Sequence, residues 1–273
     1  MSPSVTKAFI GFLILSVIFI VIERFFGKSR GRPMMRKGWW VDTAYFFFAP
    51  LVMKGITRFI AALPFVFLIL LGVVTADGLK TREYIGFGPL SQQPLWLQII
   101  EIYILSDFIG YWTHRLFHGG RWWPFHAVHH SSEDLDWLSS VRVHPVNDIV
   151  GALARTLPLV LLGFNPFATL SVTPFLTFYA IFIHANLDWT FGPLKYVIAT
   201  PAFHRWHHSK DKEAMDKNFA GLFPFWDILF GTFYMPKDRA PENFGIHEPM
   251  PNNFVGQMIE PFRSRKKPDQ IVV

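Results

Sequence analysis

FHRWHHS stands at residues 203–209, and FHAVHHS at residues 125–131. The chain of 273 residues holds only eleven histidines, from which roughly 0.02 chance copies of H-x-x-H-H are expected. Two copies, each between Phe and Ser, call for a shared chemical reason. A third pair, His114 and His118, precedes them in H-x-x-x-H spacing. On a helix, residues four apart lie about 40° from one another around the axis. His114 therefore shares a face with His118, His126 with His130, and His204 with His208. His129 and His207 lie about 60° from the first histidine of their boxes. Each box can offer two or three imidazoles to one point.

A single histidine on an apolar helix reads most simply as a core or interfacial residue. Eight together do not, because eight separately satisfied core imidazoles would each carry a desolvation cost. Neutral imidazole is the commonest protein ligand for transition metals. Eight exceed what one ion accepts, so the boxes read as holding two. Nitrogen ligands with open positions suit iron, and zinc and copper also bind imidazole. The chain has no cysteine, which excludes disulfides, Cys-ligated zinc, iron–sulfur clusters and Cys nucleophiles. A di-zinc hydrolase stays open on ligand type alone, although no H-E-x-x-H is present. A histidine-rich metal carrier is a third reading, opposed by the gathering of the boxes at one membrane face.

The surroundings of the boxes are apolar. Hydrophobic residues make up 51% of the chain, with 30 Phe and 10 Trp, and mean hydropathy is +0.27, which places it among membrane proteins. Residues 7–22 form a first span; no small-residue cleavage site follows, so it reads as a retained anchor with its N-terminus outside. Residues 39–76 are apolar but interrupted by Lys54 and Arg58. Residues 95–113 form another span, and 146–163 and 166–184 form a hairpin turned by GFNPF. Arg24, Lys28, Arg30, Arg32, Arg36 and Lys37 make the loop after the first span basic, which assigns it to the cytoplasm. A nucleic-acid role for these charges is the weaker reading. The hairpin crosses twice, so both H-x-x-H-H boxes lie on one side. If that is also the side of the basic loop, 39–76 supplies one crossing, and part of 39–57 lies along or within the interface. The expected fold is all-α: a polytopic membrane helical bundle of about four or five spans with a cytoplasmic histidine-box metal-binding cap. Its expected parts are an anchor and basic loop (1–94), a catalytic domain (95–240) and a polar tail (241–273).

The order H-x-x-x-H, H-x-x-H-H, H-x-x-H-H, with a helical hairpin before the last box, resembles the integral-membrane fatty acid hydroxylase and sterol desaturase superfamily. SDFIGYWTHRLFH (106–118), RVHP (142–145), IHAN (183–186) and WDILFGTFYMP (226–236) are similar to its signatures. The resemblance covers roughly residues 95–240 and implies a non-haem di-iron oxygenase. Such an enzyme uses O2 to remove hydrogen from an unactivated C–H bond of a lipid (sterol, fatty acyl or ether lipid). The product is an alcohol or, after a second abstraction, a double bond. It further implies two Fe ions, with zinc as a substituted metal, and an external electron donor (a reductase with ferredoxin or cytochrome), since the chain carries no flavin, haem or iron–sulfur signature. The compact chain shows no fused cytochrome domain and no retention signal, which favours the bacterial inner membrane over the endoplasmic reticulum.

Several residues outside the boxes are candidates. In this superfamily extra histidines between the last two boxes complete the metal set, which points to His184 and His144. His247 reads as tail packing. Asp107 lies seven residues before His114, about 20° away on the same stripe. A carboxylate there suits an imidazole N–H; the alternative is a helix-packing hydrogen bond. Asp188, four residues after His184, and Asn186 are weaker candidates for the same role. Asp227 and Trp226 read as fixing the C-terminal cap. Trp112, Trp122, Trp123, Trp137, Trp189 and Trp206 read as an interfacial belt or the walls of a lipid channel.

Overall fold

The computed structural model describes residues 2–27, 33, 35–81 and 83–263; Lys28, Arg30 and Arg32 of the basic loop lie outside them. Helix α1 (Pro3–Phe26) starts on Ser2, whose hydroxyl accepts from Val5 N at 3.4 Å, with Pro3 at the first helical position, where its missing N–H costs nothing. It ends at Gly27, which pairs with Leu187. A Cβ on Gly27 would come within 3.0 Å of the Asn186 carbonyl oxygen, so this close approach needs glycine.

Helix α2 (Trp39–Leu70) runs unbroken for 32 residues, about 48 Å at 1.5 Å per residue. Residues 39–57, expected to lie in part along or within the interface, are continuous with the rest of this helix. Pro50, which would break a regular helix, sits in a five-residue π segment, Ala49–Met53. The wider turn absorbs the missing N–H and the ring clash. Its first turns reach past bilayer depth into the histidine cap, where Asp42 and Tyr45 are buried. Helices α3 (Leu95–Phe117), α4 (Trp123–His130), α5 (Pro145–Leu161), α6 (Pro166–His184) and α7 (Pro201–His207) follow. Short helices α8 (Phe225–Leu229) and α9 (Phe254–Ile259) brace the cap. Among the described residues there is no β-strand, only two isolated bridges.

The α5–α6 hairpin forms as expected. Gly163, at φ +81°, ends α5, and Asn165 caps α6 by accepting from Phe167 N at 2.8 Å. The Asn165 N–H in turn donates to Gln98 Oε1 at 2.9 Å, tying the turn to α3 above a core of Ile102, Leu159, Phe164, Ala168 and Val172. Among the described residues three helices are long and apolar enough to cross a membrane: α1, α2 and α6. Their outer faces expose residues such as Val17, Phe59 and Leu170, as a helix in lipid requires. Helix α3 packs beside α6, and α5 packs beside α2 and α3. The α5 helix has only 17 residues, and α3 carries Glu101, Asp107, His114 and Arg115.

The C-terminal ends of α1, α3 and α6 and the N-terminal ends of α2 and α5 meet at the cap. Glu23 Oε1 accepts from Trp137 N at 3.1 Å and Asn186 N at 2.9 Å. Phe19, Trp137, Leu138, Ile181, Ala185 and Leu187 form the core beneath. Arg36 is not a free loop charge. It is buried, reaching Asp136 through Nε at 2.6 Å and Asp42 through Nη2 at 2.7 Å. Asp42 also accepts from Arg142 Nε at 2.5 Å. This buried set of charges joins α2 to the turn between α4 and α5, so the loop after α1 and the histidine boxes share one end of the bundle.

Candidate metal centre

Nine imidazoles meet in two groups. His114, His118, His126, His130 and His207 form one and His129, His184, His204 and His208 the other, with candidate ligand atoms within 4.8 Å of one another in each. The boxes do not each supply one ion. His129 and His130 are adjacent, hence about 100° apart on α4, and face different groups; His207 and His208 on the next box do the same. Each H-x-x-H-H box is therefore shared between the groups, which fixes both to a common frame.

The ring nitrogens divide their work. The Nδ1–H of His114 donates to the Phe219 carbonyl at 2.8 Å, that of His207 to Lys217 O at 2.7 Å, that of His129 to Arg142 O at 3.2 Å and that of His184 to Ala180 O at 2.6 Å. His118 Nδ1 meets Asp216 Oδ1 at 3.1 Å. The Asn147 amide faces His126 Nδ1 at 3.1 Å. Its Oδ1 is otherwise buried without a partner, so the rotamer with oxygen toward the ring satisfies both groups. A neutral imidazole whose hydrogen sits on Nδ1 presents a bare lone pair at Nε2. His129 Nε2 and His184 Nε2 nonetheless face each other at 3.1 Å. Neither has a hydrogen left to donate, so the contact is lone pair against lone pair. His118 Nε2 is likewise buried with no partner. A cation between the rings removes both conflicts, so the donor set fits a transition metal in each group.

Burial pushes His126, His129, His130, His204, His207 and His208 well below the usual histidine range, and neighbouring imidazoles add to the effect. His118 is lowered by burial too, with Asp216 opposing. The rings are neutral at physiological pH, the form that ligates metal.

The first group hangs on one strip of chain. Asp216, Lys217 and Phe219 provide the acceptors for His118, His207 and His114. Asp216 and Asn218 hold left-handed backbone at φ +55° and +58°, which turns the strip's carbonyls toward the rings. Asn218 locks it by donating to Phe203 O at 2.9 Å and Tyr234 O at 2.8 Å and accepting from Tyr234 N at 2.7 Å. Asp227 accepts from Phe219 N and Ala220 N, and Asp107 from Gly221 N, Leu222 N and Phe223 N.

Four sequence expectations change. Asp107 does not hold an imidazole; it caps three backbone N–H groups, because the 219–223 loop crosses its stripe. His144 belongs to neither group. Its Nδ1 accepts from Val146 N to cap α5 at 3.2 Å, and its Nε2 meets Met258 O at 3.2 Å. Asp188 is exposed because α6 ends at His184, so the four-residue spacing no longer sets a common face. Asn186 is buried, but its backbone N–H serves Glu23 and its Oδ1 meets no ring. His184 joins the second group. Asp227 fixes the cap, as read from the sequence. Asp216 and Asn147 escaped notice because each lies far along the chain from its ring; the only local hint was Asn147 one turn into α5.

The fatty acid hydroxylase family profile matches residues 99–232, the segment that carries all nine imidazoles and the 216–223 strip. The chain belongs to the fatty acid hydroxylase family. It is 31% identical over 223 residues to the ornithine lipid hydroxylase OlsE of Rhizobium tropici, covering 81% of this chain and 66% of that protein. It is 34% identical over 146 residues to the alkylglycerol monooxygenase of Homo sapiens, 53% of this chain and 32% of that protein. A putative methylsterol monooxygenase of Dictyostelium discoideum is 28% identical over 163 residues, 58% of each. The chain thus spans less than two thirds of the length of each of these relatives, and about a third of the second. No solved structure matches it. Family membership and the three apolar helices make it a membrane protein with histidine clusters able to bind metal.

Proposed function

We propose that this family member is a membrane di-iron oxygenase that hydroxylates a lipid, with desaturation as the alternative outcome of the same site. The observation that carries the reading is the pairing of lone pairs among nine neutral imidazoles, most of them pinned through Nδ1. His114, His118, His126, His130 and His207 would hold one iron, and His129, His184, His204 and His208 the other. When bound, the metals supply O2 activation and removal of hydrogen from an unactivated C–H bond. The balance is one substrate C–H, one O2, two electrons and two protons in, and one alcohol and one water out. The electrons come from an external reductase with ferredoxin or cytochrome.

The chain's own residues fix the ligands and keep them dry. Nδ1 acceptors set each ring's tautomer and direction. The apolar layer of Tyr111, Tyr179, Ile183, Phe203 and Phe219 lies directly beneath and excludes water from the membrane side. The basic loop's place at the cap end supports a cytoplasmic face for the site, and the bacterial relative supports an inner-membrane location.

The test is purification in nanodiscs, elemental analysis, and incubation with 18O2, a reductase system and lipid extract. Two irons per chain and reductant-dependent transfer of one 18O into a lipid are expected. Metal-dependent turnover without O2 or reductant would replace the oxygenase by a hydrolase.

A further inference from the structure

Away from the histidine groups, α3 and α8 form a cavity of about 290 Å³ lined by Glu101, Ile104, Leu105, Phe108 and Trp226. Its lining is apolar apart from two atoms. Glu101 Oε2 and Trp226 Nε1 are both buried, and neither meets a hydrogen-bond partner among the described residues. The Trp226 indole is held by Phe108, with ring centroids 4.8 Å apart, and by Phe225, at 4.4 Å. Asp227 beside it ties α8 to the backbone of Phe219 and Ala220. Trp96, 63% exposed near the start of α3, marks the membrane boundary away from the cap. Glu101 lies five residues further in, about 8 Å at 1.5 Å per residue, and about 20 Å short of His114. That is hydrocarbon depth. Ile104 on α3 and Ile228 and Leu229 on α8 are exposed, so both helices face lipid there.

We propose that this cavity binds a lipid carrying a hydroxyl part-way along its chain, with that hydroxyl between Trp226 and Glu101. An indole N–H only donates, and a carboxyl oxygen accepts. A hydroxyl answers both through one oxygen: it accepts from Trp226 and donates to Glu101. An ether or ester accepts only and leaves Glu101 stranded, and an unpaired polar atom at this depth has no water to turn to. Water itself bridges such a pair, but one molecule takes up about 30 Å³. The rest of the cavity, walled by Ile104, Leu105 and Phe108, is left for hydrocarbon. Depth sets the position of the hydroxyl, since a chain-end alcohol stays with the headgroups. The oxygenase reading above adds a source, and for that source alone the inference rests on it. Hydroxylating a C–H bond within a chain makes this kind of alcohol, and the cavity then holds the product away from the metal groups.

The test is competition for tritiated hexadecan-7-ol bound to the full chain in nanodiscs, with each competitor dosed as a mole fraction of lipid. The competitors are hexadecan-7-ol, its methyl ether, cetyl alcohol and hexadecane. Hexadecan-7-ol should bind at least about tenfold more tightly than hexadecane, a margin that two hydrogen bonds supply. It should also bind more tightly than the ether, which has no proton for Glu101, and than cetyl alcohol, whose hydroxyl is at the chain end. Glu101→Leu should remove the margin of alcohol over ether, and Trp226→Phe the margin of ether over hexadecane. Ile104→Trp, which fills the cavity, should remove both, and metal content checks that each variant is folded. Equal binding of hexadecan-7-ol and hexadecane leaves the polar pair to water and overturns the proposal, as do margins that the variants leave unchanged. Equal binding of cetyl alcohol overturns the in-chain position. The chain has no cysteine, so Ile104→Cys puts a single thiol at the cavity; ready disulfide cross-linking of two chains through it makes the occupant a second copy and also overturns the proposal. Binding is read without turnover, so the two readings fail separately. Incorporation of 18O without alcohol selectivity sinks this site alone, and alcohol selectivity without O2-dependent turnover sinks the oxygenase alone.

Discussion

Replacing Asn218 tests whether the 216–223 strip positions the first histidine group. Asn218 sits between the two carbonyls that hold His207 and His114, and its buried side chain makes three hydrogen bonds, two given and one accepted. Asn218→Gly keeps the left-handed backbone at no steric cost and removes all three. Each bond is worth about 1 kcal/mol net, and up to about 2 when its partner is stranded without water, so the loss is roughly 3–6 kcal/mol. Asn218→Ala adds about 1 kcal/mol, because a Cβ disfavours φ +58°. At about 2–4 °C per kcal/mol for a chain of this size, the glycine variant should melt roughly 6–24 °C lower, and the alanine variant lower still. The strip serves one group only, so metal content should fall from two per chain toward one. The assay is differential scanning fluorimetry in detergent beside elemental analysis. A glycine variant that melts within about 2 °C of the parent and keeps both metals would refute the positioning role.

Three further outcomes follow from the same geometry. Asp216→Asn should weaken metal retention in the first group about 10- to 100-fold in a chelator competition, leaving the second group unchanged, since only His118 leans on that carboxylate. His144→Ala should keep the full metal complement and lose only about 0.5–2 kcal/mol of α5 capping, whereas His184→Ala should lose metal; metal analysis of the pair separates the two histidines. Acid should destabilise the metal-free protein: the six cap histidines are depressed in the fold, while the unfolded chain takes up protons near pH 6.5. Stability is thus full above about pH 6.5 and falls below it, by up to about 1.4 kcal/mol per histidine per pH unit. A melting temperature that stays level from pH 7.5 to 5 would contradict their burial as neutral rings.

Much of this protein was legible in its sequence because the information is local. The apolar runs, the Asn-Pro hairpin and the repeated boxes are set by neighbours within a few residues, where helical spacing decides which side chains share a face. The continuous α2 was not, because Lys54 and Arg58 read as an interruption; both are exposed, and a π segment lets the helix pass Pro50. The metal-binding type of the centre followed from residue identity alone. Its partition did not. Five imidazoles against four, the inclusion of His184 and the exclusion of His144 depend on where α5 and α6 end relative to α4 and α7. The acceptors that set the rings are mostly backbone carbonyls, which every residue carries and which therefore leave no trace in the sequence. Asp216 and its ring stand 98 residues apart, and the Arg36–Asp136 pair 100. Contacts of that range are decided only when the chain packs, since the chain alone does not specify which distant polar groups will be left without water and must find each other.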